Sequence, residues 1–245
     1  MANTQNVRLL RWPIDQRTAK AASDHPLPIR TTSPLAQFGE DGKDCGFDPQ
    51  SWNYRVVQPA SWSSMPKCTP EQIIGEFQRG RYTQALAMVA AWGRMWRQPD
   101  AVWGSRRIES IEQALLNCSC NIRQTQSVEH AWLTLTGLGE GQMGWTAVMT
   151  SKTLHFLCRS LGFVQNPPAA IDGAVMRNVV WRVFGNSIPF GERPVNWQGN
   201  TFPAYCRYMT AILAWAEQHH WTTKEIEATI FAEYGSNNSF SHYCA

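Results

Sequence analysis

The chain has 245 residues, 43% hydrophobic and only 17% charged, with 12 tryptophans and a net charge of +3. That balance supports a packed core and excludes a disordered chain. It also excludes a protein coated in basic residues for nucleic acid, so any such footprint must be a local patch.

The length suits one large domain or two small lobes. Residues 1–20 carry several charges and no apolar core of the secretory kind, and no run has the length of a membrane span. A cytoplasmic protein without membrane partners is therefore expected, with its seven cysteines reduced. Cys118 and Cys120 are one residue apart with no second cluster nearby, so no metal and no cofactor are expected.

Residues 1–65 are punctuated by Pro13, Pro26, Pro28, Pro34, Pro49 and Pro59, which leave no room for a long helix. With Trp12, Phe47, Trp52, Tyr54 and Trp62 they read as an irregular arm packed on the core. Order begins at Thr69-Pro70-Glu71-Gln72, a capping box with proline at the first helical position. Ile73, Ile74 and Phe77 form the apolar face of that helix and Gly80 ends it. A second helix is expected over Tyr82–Met95.

Arg79, Arg81, Arg94, Arg97, Arg106 and Arg107 are interleaved with Trp92, Trp96 and Trp103. Arginines with aromatics grip phosphates and stack on bases, although the same cluster reads as a solvated surface over a tryptophan-rich core. Further helices are expected over Ile108–Leu116 and Val128–Leu138. The next stretch contains a formal G-x-G-x-x-G in Gly139, Gly141 and Gly144. No strand precedes it, so it reads as a hairpin between helices whose N–H groups can hold a DNA phosphate, not as a dinucleotide site.

From Thr150 a helix carries Lys152 in its first turn, with Leu154, Phe156, Leu157 and Leu161 toward a core. Pro167 and Pro168 are read as its stop. Asp172 then caps a helix over Gly173–Phe184. An amine and a carboxylate thus open two adjacent helices across a short, stiff connection. Alone, each is an ordinary solvated lysine or helix cap; together they can share a cleft. The last helices are expected over Pro203–Trp221 and from Thr223 to Phe231, followed by a mobile tail over 236–245.

The helix, glycine-bearing hairpin, lysine helix, proline loop and aspartate-capped helix resemble the helix–hairpin–helix DNA glycosylases. Ser151-Lys152-Thr153-Leu154-His155-Phe156-Leu157 with Ala170-Ile171-Asp172 is most similar to the 8-oxoguanine glycosylase branch, in its compact bacterial form. Tyr82-x-x-Ala85-Leu86, Ala91-Trp92-Gly93 and the Tyr205-Cys206 helix are similar to it too. One departure is visible: where the family hairpin has Gly-hydrophobic-Gly directly before the lysine, this chain has Val148-Met149-Thr150.

The resemblance implies an all-α, two-lobed fold over residues 66–235, with the helix–hairpin–helix unit at about 127–184 and a cleft between the lobes. It implies excision of an oxidised or modified guanine from DNA. Lys152 matches the lysine that attacks C1′ of the damaged nucleotide, and Asp172 the aspartate that assists. Trp92, Trp145, His155 and Trp215 are candidates to line the base pocket, though each also reads as core. Gly139, Gly141, Gly144, Arg94, Arg97 and Arg177 are candidates for the DNA backbone. Stand-alone members are associated with antiphage defence operons, which implies defence-system proteins as further partners. The other reading is a non-catalytic module of the same fold that senses nucleic acid, a nucleobase or a nucleotide.

Overall fold

The structure, a computed structural model, describes residues 8–27, 69–92, 108–137, 147–171 and 201–234. All the regular elements among them are α-helices. In chain order they are α1 (Gln16–Asp24), α2 (Pro70–Gln78), α3 (Tyr82–Trp92), α4 (Ile108–Thr125), α5 (Glu129–Gly137), α6 (Ala147–Ser160), α7 (Phe202–His219) and α8 (Thr223–Tyr234).

Helix ends follow local chemistry. At α2 the capping box forms as expected: the Thr69 N–H donates to Gln72 Oε1 at 2.8 Å, and the Gln72 N–H to Thr69 Oγ1 at 3.3 Å. That helix closes on Gly80 at φ +73, where the Arg81 N–H reaches the Glu76 carbonyl at 3.0 Å and the Gly80 N–H that of Phe77 at 3.1 Å. Helix α6 closes in the same way on Gly162 at φ +92, with the Phe163 N–H on the Cys158 carbonyl at 3.1 Å. The expected stop at Pro167 and Pro168 is therefore corrected. The left-handed glycine ends the helix first, and the prolines lie in the extended segment beyond it.

Two other expectations are corrected. Within the arm read as irregular, residues 16–24 form α1, capped by Asp15 Oδ1 on the Thr18 N–H at 2.7 Å. Its buried stripe is only Thr18 and Ala22, too small to register as an apolar period. Helix α4 runs on to Thr125, because Ile111, Leu115, Cys118 and Ile122 continue one buried face through a stretch that reads as polar. In α5, Trp132 and Leu135 are buried as the core face, but Leu133 is 57% exposed.

Helix α6 is the hub. It packs against α2, α3, α4 and α5, while α7 packs against α1, α5 and α8. Every residue from Met149 to Cys158 is buried. Leu154, Phe156 and Leu157 have no exposed surface, as anticipated, and each contributes about 1.5–3 kcal/mol of apolar burial. Trp132 stacks on Tyr205 (centroids 4.3 Å apart, planes at 17°) and joins α5 to α7. Cys118, Cys158 and Cys206 are buried, while Cys120 is exposed on the other side of α4. Burial pushes the Cys118 and Cys206 thiols up to about 12, so they are inert packing groups.

A Cβ at Gly162 would meet nothing within 4 Å, so the backbone alone restricts that position. Gly162→Ala is expected to cost about 1–2 kcal/mol in urea unfolding, with no change in the packing of α6. A neutral effect would mean that the turn relaxes to negative φ.

Candidate active site

Lys152 is the sixth residue of α6, in its second turn rather than the first, because the helix starts at Ala147. The helix dipole acts mainly within the first turn, so the surroundings of the amine are set by burial more than by the helix end. Lysine is among the residues least often enclosed, yet Lys152 is only 4% exposed. Its Nζ lies 5.6 Å from the centre of the Trp92 ring, within cation–π range. Trp92 is partly buried and meets Phe156 edge-on at 5.0 Å. Among the described pocket candidates, Trp92 is the one whose ring lies against the lysine.

His155 and Trp215, the other two described pocket candidates, are both enclosed. His155 is wholly enclosed, and its Nδ1–H donates to the Pro168 carbonyl at 2.8 Å. Nε2 is then the acceptor facing Arg159 Nη1 at 3.4 Å. Burial pushes the His155 pKa down to about 3, with the Arg159 charge adding to the effect, so the ring is neutral and structural. Trp215 has no exposed surface and donates its indole N–H to the His25 carbonyl at 3.2 Å. It holds the arm and presents no face to a base.

The segment 163–171 leads from α6 toward Asp172, and side chains from several elements fasten it. The Asn166 amide pairs with the Leu10 backbone, with both hydrogen bonds 2.9 Å. Thr223 Oγ1 donates to the Pro167 carbonyl at 2.9 Å, and the Tyr205 hydroxyl to the Ala169 carbonyl at 2.8 Å. The Ala169 N–H points at Met209 Sδ, 3.2 Å away. Last, the Ile171 N–H donates to Ser151 Oγ at 2.9 Å, and Ser151 Oγ donates in turn to the Val148 carbonyl at 3.0 Å. Ser151 precedes Lys152, and Ile171 precedes Asp172. The chain neighbours of the expected catalytic pair are therefore hydrogen-bonded to one another.

Sequence reasoning missed Ser151, Asn166, Tyr205 and Thr223 as fasteners. One local signal was present: Asn166-Pro167 is a turn-forming dipeptide. Asp172, Trp145, Gly139, Gly141, Gly144, Arg94, Arg97 and Arg177 lie outside the described residues. Among the described residues no three His, Cys, Asp or Glu side chains gather as metal ligands. No helix there is long and apolar enough to cross a membrane.

In comparisons with known proteins, a family model described as Putative 8-oxoguanine DNA glycosylase OGG-like protein matches residues 40–231. No curated protein and no solved structure matched the chain.

This geometry leads to two expectations. Ser151→Ala leaves the buried Ile171 N–H without its acceptor and is expected to cost about 1–3 kcal/mol in chemical denaturation; a cost near zero would show that the N–H finds another partner. For His155, the unfolded chain takes up a proton below about 6.5 while the folded protein does not. Stability from this residue is therefore complete above that pH and declines as pH falls toward about 3. Melting wild type and His155→Gln between pH 7.5 and 4.5 should show a steeper decline in the wild type, by up to about 1.4 kcal/mol per pH unit. Parallel curves would exclude a neutral buried imidazole.

Proposed function

We propose a function from the premise that this chain belongs to the OGG-like 8-oxoguanine DNA glycosylase family, whose model spans most of its length. A DNA glycosylase-type function follows from that membership. Beyond it, our reading is a glycosylase with lyase activity on an oxidised or modified guanine, using Lys152 as nucleophile and Asp172 as its assistant. The observation that carries this reading is the enclosed Lys152 beside a partly open Trp92, with Ile171 bonded to Ser151.

The chemistry suits these groups. The target nucleotide must leave the helical stack before its sugar can be reached. Trp92 offers a flat wall for the everted base. A free lysine, with an ordinary pKa of about 10.4, attacks only as the neutral amine. The Nζ lone pair adds to C1′ as the C1′–N9 bond breaks, and the bond electrons leave with the base, which takes up a proton. Positive charge grows on the sugar in this step, and a carboxylate at 172 stabilises it and accepts the proton released by the amine. The Nζ lone pair then breaks the C1′–O4′ bond, O4′ takes up the proton held by the carboxylate, and a protonated imine is left between Nζ and C1′. Loss of a C2′ proton then expels the 3′ phosphate and nicks the strand. Antiphage defence alongside partner proteins is the setting suggested by the family likeness alone.

The test is borohydride trapping on duplexes that each carry one modified purine, 8-oxoguanine first. Wild type is expected to form a covalent adduct, and Lys152→Gln to lose it by at least about a hundredfold while melting within a few degrees of wild type. No adduct and no released base on any duplex would overturn the enzymatic reading. Salt-dependent DNA binding without turnover would then assign the chain to the non-catalytic reading of the same fold.

A further inference from the structure

The arm ahead of the matched region makes contacts that a simple covering segment would not need. The family match begins at residue 40, so residues 8–27 lie outside it. Yet Leu10 exchanges two hydrogen bonds with the Asn166 side chain, an amide acting as a strand-like partner for one residue of backbone. Next to it, the Trp12 indole N–H donates to the Asn166 carbonyl at 3.3 Å. The same indole meets Tyr205 edge-on at 5.9 Å, and Tyr205 holds the Ala169 carbonyl. The Arg11 N–H reaches the Gln126 carbonyl at 2.7 Å, in the turn between α4 and α5. The Asp15 N–H reaches Thr210 Oγ1 on α7 at 3.2 Å. Over a few residues the chain touches the α4–α5 turn, the segment that enters the candidate site, and α7.

We infer that residues 10–12 are a positioning strap for the candidate site, acting through Asn166 on the segment 163–171. This rests on the glycosylase reading for its catalytic consequence. Asn166 is then a positioning residue that touches no reacting atom. It fixes the path of the backbone toward Ile171, whose N–H is bonded beside Lys152. Small displacements of a reacting group are enough to matter: about 1 Å can cost about a hundredfold in rate. Asn166 carries no charge, so its loss weakens the chemical step more than the electrostatic hold on DNA.

The experiment uses the full chain and three variants. Asn166→Ala removes both bonds to Leu10. Asn166→Asp keeps the acceptor for the Leu10 N–H and loses the donor to its carbonyl. Asp15→Ala removes the cap of α1 without touching the segment, and so reports general destabilisation of the arm. Single-turnover base release, DNA affinity, melting temperature and amide exchange at Ala169, Ala170 and Ile171 are measured for each.

Asn166→Ala is expected to slow base release by about tenfold or more, to change DNA affinity by less than about twofold, and to speed exchange at Ile171. Asn166→Asp should fall between it and wild type, and Asp15→Ala should keep the wild-type rate. Unchanged exchange at Ile171 in Asn166→Ala overturns the strap, and so does an equal rate loss in Asp15→Ala at equal melting temperature. A wild-type protein that releases no base overturns the glycosylase reading instead, and the exchange data still decide the strap.

Discussion

The hydrogen bond from the Ile171 N–H to Ser151 Oγ is the contact on which the rest of the candidate site depends. Left free, the stretch between Ser160, the end of α6, and Ile171 is long enough to lead the backbone in many directions. Here it cannot. Asn166, Pro167, Pro168 and Ala169 each give a backbone carbonyl to a side chain from elsewhere in the fold. Two prolines remove further freedom by fixing φ. Each neutral bond contributes only about 0.5–1.5 kcal/mol, but together they leave the segment one path, and that path returns to the turn of α6 holding Lys152.

Helix α6 must then tolerate an unusual interior. Thr150, Ser151, Lys152, Thr153 and His155 are all buried in it, on a helix surrounded by four others. Buried polar groups are costly unless they are bonded. Ser151 and His155 both bond to the same segment and guide the chain past the helix, whereas the Thr150 and Thr153 hydroxyls have no hydrogen-bond partner among the described residues. A fully apolar helix would pack as well but would have nothing with which to hold residues 168–171. Inert cores and reactive sites differ in this respect, because a site needs polar atoms inside and a fixed geometry for each.

Much of this is legible in the residues alone. The capping box at Thr69, the glycine stop at Gly80 and the apolar face of Leu154, Phe156 and Leu157 are local signals with local causes, and all appear as read. Less legible were features decided by tertiary contact. Helix α4 extends past Leu116 because Cys118 and Ile122 find a partner face in other helices. Trp215 and His155 have the chemistry of pocket residues, and only their surroundings show them to be enclosed. Trp92, a candidate on the same grounds, is partly buried and lies next to Lys152. The prolines at 167 and 168 looked like the helix stop because proline is the louder signal, but the left-handed Gly162 comes earlier in the chain and acts first.

The contacts made by the arm span most of the polypeptide: 156 residues from Leu10 to Asn166, 190 from His25 to Trp215 and 195 from Asp15 to Thr210. The arm is therefore made well before the partners it docks on, and closing so long a loop is entropically slow. A nascent or prematurely ended chain that lacks α7 has no seat for α1 and nothing to hold Ala169. With the strand-cutting activity proposed for it, such a protein would become dangerous to DNA only once α7 has been made, the order of manufacture acting as a safeguard.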